Sequence, residues 1–222
     1  MSPPNPETSN RPILQSLLVA AAMLGFSAVG CATSDASVRP FNLRGTVMET
    51  PVEKVEFTLP DTEGRPFHFR DRTDGSLTLL FFGYTYCPDV CPVHLANIAA
   101  ALRDLPYDDR SRIRVVFVST DPERDTARRI REWLDAFDRS FVGLRGPLDE
   151  VNRIQAGFGL GPASQIPGTE GVLPDSSGYL VQHAAQVLAV SPHDNVARVA
   201  YPFGARQADW RHDLPILLSL EW

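Results

Sequence analysis

Two cysteines carry the first chemical signal in this chain. They stand in Cys87-Pro88-Asp89-Val90-Cys91-Pro92, four positions apart and bracketed by prolines. At that spacing, around one turn, the two sulfurs fall on the same side of the chain and can approach each other. The segment follows an apolar run at 79–82 and precedes a helical pattern, so it lies where a strand ends and a helix begins. Reactive groups in open α/β sheets collect at the carboxyl ends of strands, and a nearby helix N-terminus favours thiolate over thiol. Such a pair suits two chemistries. One is reversible disulfide exchange, for which a two-residue spacer is commoner than the three-residue spacer here. The other is binding of a soft metal, where two thiolates suit Cu(I) best and Zn(II) acceptably. A third reading is a static structural disulfide; against it, the pair sits between prolines at a strand end instead of stapling distant elements.

A metal would call for a third donor, usually imidazole, and the chain has five histidines. His183 ends the strand-like run at 179–183, and His94 follows Cys91 by three along the helical pattern. His68, His193 and His212 fall in a hairpin, a turn and a terminal helix, where solvation is the expectation. On local pattern alone His183 is either a ligand or a hydrogen-bonded residue beside an apolar strand.

The surrounding elements follow from periodicity. Residues 55–59 alternate, a turn signal follows at 61–64, and 67–69 alternate again, which predicts a β-hairpin. Continuous apolar runs within 76–82 and 112–119 read as strands buried on both faces. Helical spacing marks 93–105, with Pro92 at its first position. Ile130, Trp133, Leu134 and Phe137 form one stripe of a further helix that Asp125 or Thr126 can cap. A short strand at 141–144 precedes a helix at 147–158 opened by Pro147. Residues 159–178, with five glycines and three prolines, read as a long surface loop of the kind that is often functional. Strand character resumes at 179–183 and 186–191, a turn leads into 196–201, and 207–220 closes the chain as a helix. This order predicts a thioredoxin-like α/β fold: a central mixed β-sheet flanked by helices, with an added N-terminal β-hairpin.

Length and composition bound the whole. The 222 residues, 43% apolar and 22% charged, suit one domain plus a tail and exclude wholesale disorder. A net charge of −6 without a basic cluster argues against a nucleic-acid partner. Three cysteines are too sparse for a disulfide-stapled miniprotein. Residues 13–30 contain no charge and end in Ala28-Val29-Gly30-Cys31. Residues 1–30 therefore read as a signal peptide or membrane anchor. That terminal box resembles a bacterial lipoprotein signal, in which Cys31 would bear the lipid, although Ala28 stands where the pattern prefers leucine; otherwise Cys31 is a small apolar residue inside a helix. Residues 31–52 read as a flexible tether and 53–222 as the folded domain.

Taken together, Gly83-Tyr84-Thr85-Tyr86-Cys87-Pro88-Asp89-Val90-Cys91-Pro92, then Val118-Ser119-Thr120-Asp121-Pro122-Glu123-Arg124-Asp125-Thr126, then His183 ahead of 187–192 resemble the Sco/SenC family of copper-binding thioredoxin-fold proteins. The resemblance implies a copper site for Cu(I) or Cu(II) made by Cys87, Cys91 and His183. It also implies a role in maturing the dinuclear copper centre of cytochrome c oxidase. The partner would be the oxidase's copper-bearing subunit or another copper chaperone, met on the periplasmic side of a membrane that holds the N-terminal lipid or anchor. His94 stands where the family needs no ligand, leaving it a bystander or a transient docking donor. Asp89 is either a turn residue or a charge that tunes the thiolates; Asp121 is a turn residue or a support for the metal loop. The alternative function is a thiol–disulfide reductase using Cys87 and Cys91 to keep a partner's copper-ligand cysteines reduced. A peroxidase of the same fold ranks below both, because the residues ahead of Cys87 lack the Pro-x-x-x-Thr-x-x-Cys spacing.

Overall fold

The computed structural model describes residues 42–171 and 178–222. In chain order these form β1 (Thr46–Glu53), β2 (Thr58–Pro60), β3 (Pro66–His68), α1 (Phe69–Arg72), β4 (Leu77–Gly83), α2 (Val90–Arg103), α3 (Tyr107–Ser111), β5 (Ile113–Ser119), α4 (Ala127–Asp135), β6 (Val142–Leu144), α5 (Leu148–Gly157), β7 (Ser164–Gln165), β8 (Val181–Gln182), β9 (Val187–Val190), β10 (Val196–Tyr201) and α6 (Gln207–Ser219). Six strands make one sheet in the order β1-β10-β9-β4-β5-β6. β4, β5 and β6 run parallel, whereas β9, β10 and β1 are each antiparallel to the preceding neighbour.

β4 is central and buried at every position, which explains its apolar run at 79–82; Thr78 is its one polar residue. The pleat splits it between two cores. Leu77, Leu79 and Phe81 pack with α2, α4 and α6, while Leu80 and Phe82 pack with the β2–β3 hairpin and α5. Helices thus cover both faces of a mixed sheet, as the expected thioredoxin-like architecture requires. No helix among the described residues is long and apolar enough to cross a membrane.

Several elements depart from the sequence expectations, α1 and the shorter β2 among them. Residues 46–52, expected within the tether, belong to β1, which pairs with β10 at the sheet edge. Most of β1 is exposed and it contains Pro51, so backbone pairing holds it without an apolar alternation for the sequence to display. α2 begins at Val90, placing Pro92 third in the helix instead of first. Its missing N–H still falls among the four amides that have no intrahelical partner, so the helix loses nothing. The strand expected over 179–183 is only the two residues of β8, and it pairs with β7 inside the expected surface loop. α3 was not expected, since none of its residues is buried and no apolar stripe marks it.

A clip secures the start of the domain. Asp213 of α6, fully buried, accepts the backbone N–H groups of Arg44 and Gly45, the Tyr201 hydroxyl and the His212 Nδ1–H. Gly45 is required there, because a Cβ would lie 2.6 Å from the Val199 side chain. His212 is therefore half-buried and paired, not simply solvated as expected. Residues 1–41, which include Cys31 and the apolar segment at 13–30, lie outside the described residues.

Candidate metal centre

β4 delivers the chain to the site and α2 carries it away. After Gly83 a turn closed by the Cys87 N–H on the Tyr84 carbonyl, at 3.2 Å, brings Cys87 back over the start of α2. Asp89 occupies the N-cap position, is exposed, and makes no side-chain capping bond. The Cys87 sulfur fills that role instead, accepting the Cys91 N–H at 3.4 Å. A negative sulfur at a helix N-terminus is favoured by the exposed amides and the helix dipole.

The two thiols are unequal. The hydrogen bond from the Cys91 thiol is the largest influence on Cys87; with those from His183 and the backbone N–H groups of Cys91 and Asp89 it outweighs burial and pulls the Cys87 thiol down to about 4. Burial foremost, then the Cys87 neighbour, pushes the Cys91 thiol well above the ordinary range. Cys87 is 9% exposed and Cys91 is not exposed at all. Both are free cysteines. Of the two, Cys87 is the thiol favoured to ionise and Cys91 the one favoured to keep its proton.

His183 arrives from the segment between β8 and β9. Its Nε2 lies 3.6 Å from Cys91 Sγ although 92 positions separate the residues. Nδ1 donates to the Ala184 carbonyl at 3.1 Å, and Nε2 faces the sulfurs. The rings of Tyr84 and Phe81 meet the imidazole edge-on, at 5.5 and 6.1 Å between centroids. Among the described residues, Cys87, Cys91 and His183 form a cluster whose ligand atoms all lie within 4.8 Å of one another. Two thiolates and one imidazole hold Cu(I) in low coordination and also accept Cu(II), so the donor set fits copper. Close packing also depends on Gly83, where a Cβ would stand 2.7 Å from Cys91 Sγ.

The stretch from Asp121 to Thr126 brackets the cysteine loop. Buried Asp125 accepts from the Thr85 N–H, the Thr85 hydroxyl and the Ser119 hydroxyl. Arg129 donates to Thr85 Oγ1 at 3.1 Å and lies over the Tyr86 ring. Asp121 pairs with Arg124 and accepts the Tyr179 hydroxyl at 2.8 Å, while Arg124 stacks 3.7 Å from the Tyr179 ring centroid. Asp121 therefore supports the surroundings of the metal loop and is more than a turn residue. Thr126 is the cap of α4, accepting the Arg129 N–H, so Asp125 is free to turn inward. The sequence offered Asp121 as such a support, whereas Asp125 read there only as a candidate helix cap. Of the other histidines, His94 is buried with Nε2 donating to the Ala185 carbonyl at 3.0 Å, and burial pushes it below the ordinary histidine range. His68 and His193 are exposed; His68 Nδ1 bonds the Thr58 hydroxyl across the hairpin, and His193 Nε2 donates to the Leu218 carbonyl of α6.

Known proteins similar to this chain include copper-binding ones. A putative copper-binding protein of Stutzerimonas stutzeri is 29% identical over 151 residues, covering 67% of this chain and 70% of that protein. The apo Sco1 protein of Thermus thermophilus, known from solution structures, is 33% identical with a TM-score of 0.66, covering 79% of this chain and 96% of the other. Bradyrhizobium japonicum ScoI with copper bound is 28% identical with a TM-score of 0.63, covering 75% and 99%. The chain spans about a third to about a half of the length of mitochondrial relatives from Arabidopsis, yeast and mouse. The family model described as SCO1/SenC matches residues 46–214, from β1 into α6, and this chain belongs to the SCO1/SenC family.

Proposed function

We propose that this protein is a membrane-tethered, extracytoplasmic copper chaperone that carries copper on Cys87, Cys91 and His183 and delivers it to the dinuclear copper centre of cytochrome c oxidase. One observation carries the reading: two sulfurs from a strand–helix junction and an imidazole from a distant loop converge within 4.8 Å. Copper is cargo here. Three donors, one of them on a segment outside the strands, give a recipient open positions from which to take the ion. Cys87, the more accessible sulfur, is the group from which exchange starts. The recipient is the oxidase's copper-bearing subunit or another copper chaperone, and Cys31 lipidation or a retained apolar segment at 13–30 holds the protein to the membrane.

Metal analysis and copper spectroscopy on the full chain test the site. One copper per chain is expected, because the three donors form one site. His183→Ala should weaken Cu(II) binding strongly, and Cys87→Ser should weaken both copper states. Wild-type binding of both states by His183→Ala would remove the proposed coordination.

The inequality of the thiols favours a second reading, a thiol–disulfide reductase. The Cys87 thiolate would attack a partner's disulfide, forming a mixed disulfide and releasing one partner thiolate. Cys91, giving up its proton to that thiolate, would then attack the Cys87 sulfur and release the second. The partner gains two electrons and Cys87–Cys91 becomes oxidised. Single-turnover reduction of a disulfide by metal-free protein, unchanged in His183→Ala, would support this activity; inertness toward every disulfide offered would exclude it.

A further inference from the structure

We propose that His94 is a positioning residue of the copper site, a latch that fastens the His183 loop to the helix carrying Cys91. The inference rests on the reading of Cys87, Cys91 and His183 as copper ligands. Residues 183–186 lie outside any strand, and β8 before them pairs only with β7, so the sheet does not hold the imidazole in place. The His94 Nε2–H donates to the carbonyl of Ala185, two residues beyond His183, at 3.0 Å. Because Cys91 and His94 are three apart on α2, they share a face, and one rigid helix positions both a sulfur and the loop bearing the imidazole. Phe81 joins the two rings, its centroid 5.4 Å from that of His94 and 6.1 Å from that of His183.

Packing alone does not call for a histidine at this place. The ring is 1% exposed, and its Nδ1 has no partner among the described residues. A buried nitrogen left unpaired is unfavourable, and an apolar side chain would fill the same space without it. What an apolar residue would not supply is the bond to Ala185. The next polar residue on the same face, Asn97, makes a comparable tie elsewhere, from Nδ2 to the Ala205 carbonyl at 3.1 Å.

The test is the rate at which the Cu(II)-loaded full chain yields metal to a chelator, together with its Cu(II) electron paramagnetic resonance spectrum. His94→Phe keeps an aromatic ring against Phe81 but loses the donor; His94→Asn keeps an amide that is too short to reach. Both should release Cu(II) about tenfold faster, the lower end of what losing a partner that orients a ligand costs, with an altered spectrum and unchanged Cu(I) stoichiometry. His94→Gln, whose amide can reach Ala185, should return both readouts toward wild type, and Asn97→Ala should leave them unchanged. Wild-type release from His94→Phe and His94→Asn, no rescue by His94→Gln, or equal acceleration in Asn97→Ala would each overturn the latch. His183→Ala, run alongside, separates the two readings: if it too behaves as wild type, the copper site itself has been misassigned.

Discussion

Thr85 and Asp125, 40 positions apart, are joined twice: the Thr85 hydroxyl donates to Asp125 Oδ1 at 2.6 Å, and the Thr85 N–H is shared between both carboxylate oxygens at 3.2 and 3.1 Å. The same carboxylate accepts the hydroxyl of Ser119, the last residue of β5, at 2.6 Å. It therefore ties the exits of two parallel strands together beneath the cysteine loop. Asp125→Ala would strand these donors in the interior. At about 1–3 kcal/mol for each group left unpaired, a loss of about 3 kcal/mol or more is expected, seen as a Tm lowered by about 10 °C in calorimetry of the metal-free protein. Thr85→Val removes the hydroxyl alone and should cost about 1 kcal/mol.

Gly83→Ala tests the space beneath the buried sulfur. The added methyl would meet Cys91 Sγ at 2.7 Å and the Phe117 ring at 3.1 Å. Relief requires the sulfur or β4 to move, at about 1–3 kcal/mol for an overfilled core. Copper titration should show affinity lowered by at least about tenfold, the scale on which a displaced ligand environment acts. Unchanged affinity would mean that the sulfur can shift without harm.

Cys87 should react as a thiolate far below the usual range. With its thiol pulled down to about 4 by the hydrogen bond from Cys91, deprotonation precedes neutrality, so the thiolate is full above that value and is lost as pH falls through it. Alkylation of the metal-free, reduced protein should be nearly independent of pH between about 6 and 8 and fall away in acid. Peptide mapping at pH 6.5 should place the adduct on Cys87 and leave buried Cys91 unmodified. A rate climbing steeply toward pH 9 would show an ordinary thiol.

Lys54, the chain's sole lysine, gives a separate pH signature. It is 1% exposed, donates to the Thr73 carbonyl at 3.1 Å, and is lowered to about 8, chiefly by burial. A base whose folded value is depressed loses its proton earlier in the folded state than in the unfolded one. Stability therefore rises as pH climbs from about 8 toward the unfolded value near 10.5 and declines again on return. Measured against Lys54→Met, wild type should gain Tm across that window; parallel curves would refute the assignment.

The two central strands were legible because burial on both faces gives β4 and β5 continuous apolar runs at 79–82 and 115–118. The cysteine pair was legible from its own spacing. His183 was not, since a histidine after an apolar run looks the same whether it faces a core or a sulfur. Only resemblance singled it out, because the juxtaposition depends on the β8–β9 segment meeting α2 92 positions away. Asp125 reads locally as a helix cap, and its inward turn depends on the register of β4 beside β5, which no window of sequence contains. β1 left no trace for a related reason: an exposed edge strand is held by backbone bonds, which any composition can supply.

The strand directions behind the Asp213 clip have an orientational consequence. Thr46 pairs with Ala200, Ala200 with Leu188 and Leu188 with Leu80, three residues before β4 ends at Gly83. The polypeptide therefore enters the fold at the same pole from which Cys87 and Cys91 emerge. A leash attached ahead of Leu43 would hold that pole, not the opposite one, toward its point of attachment.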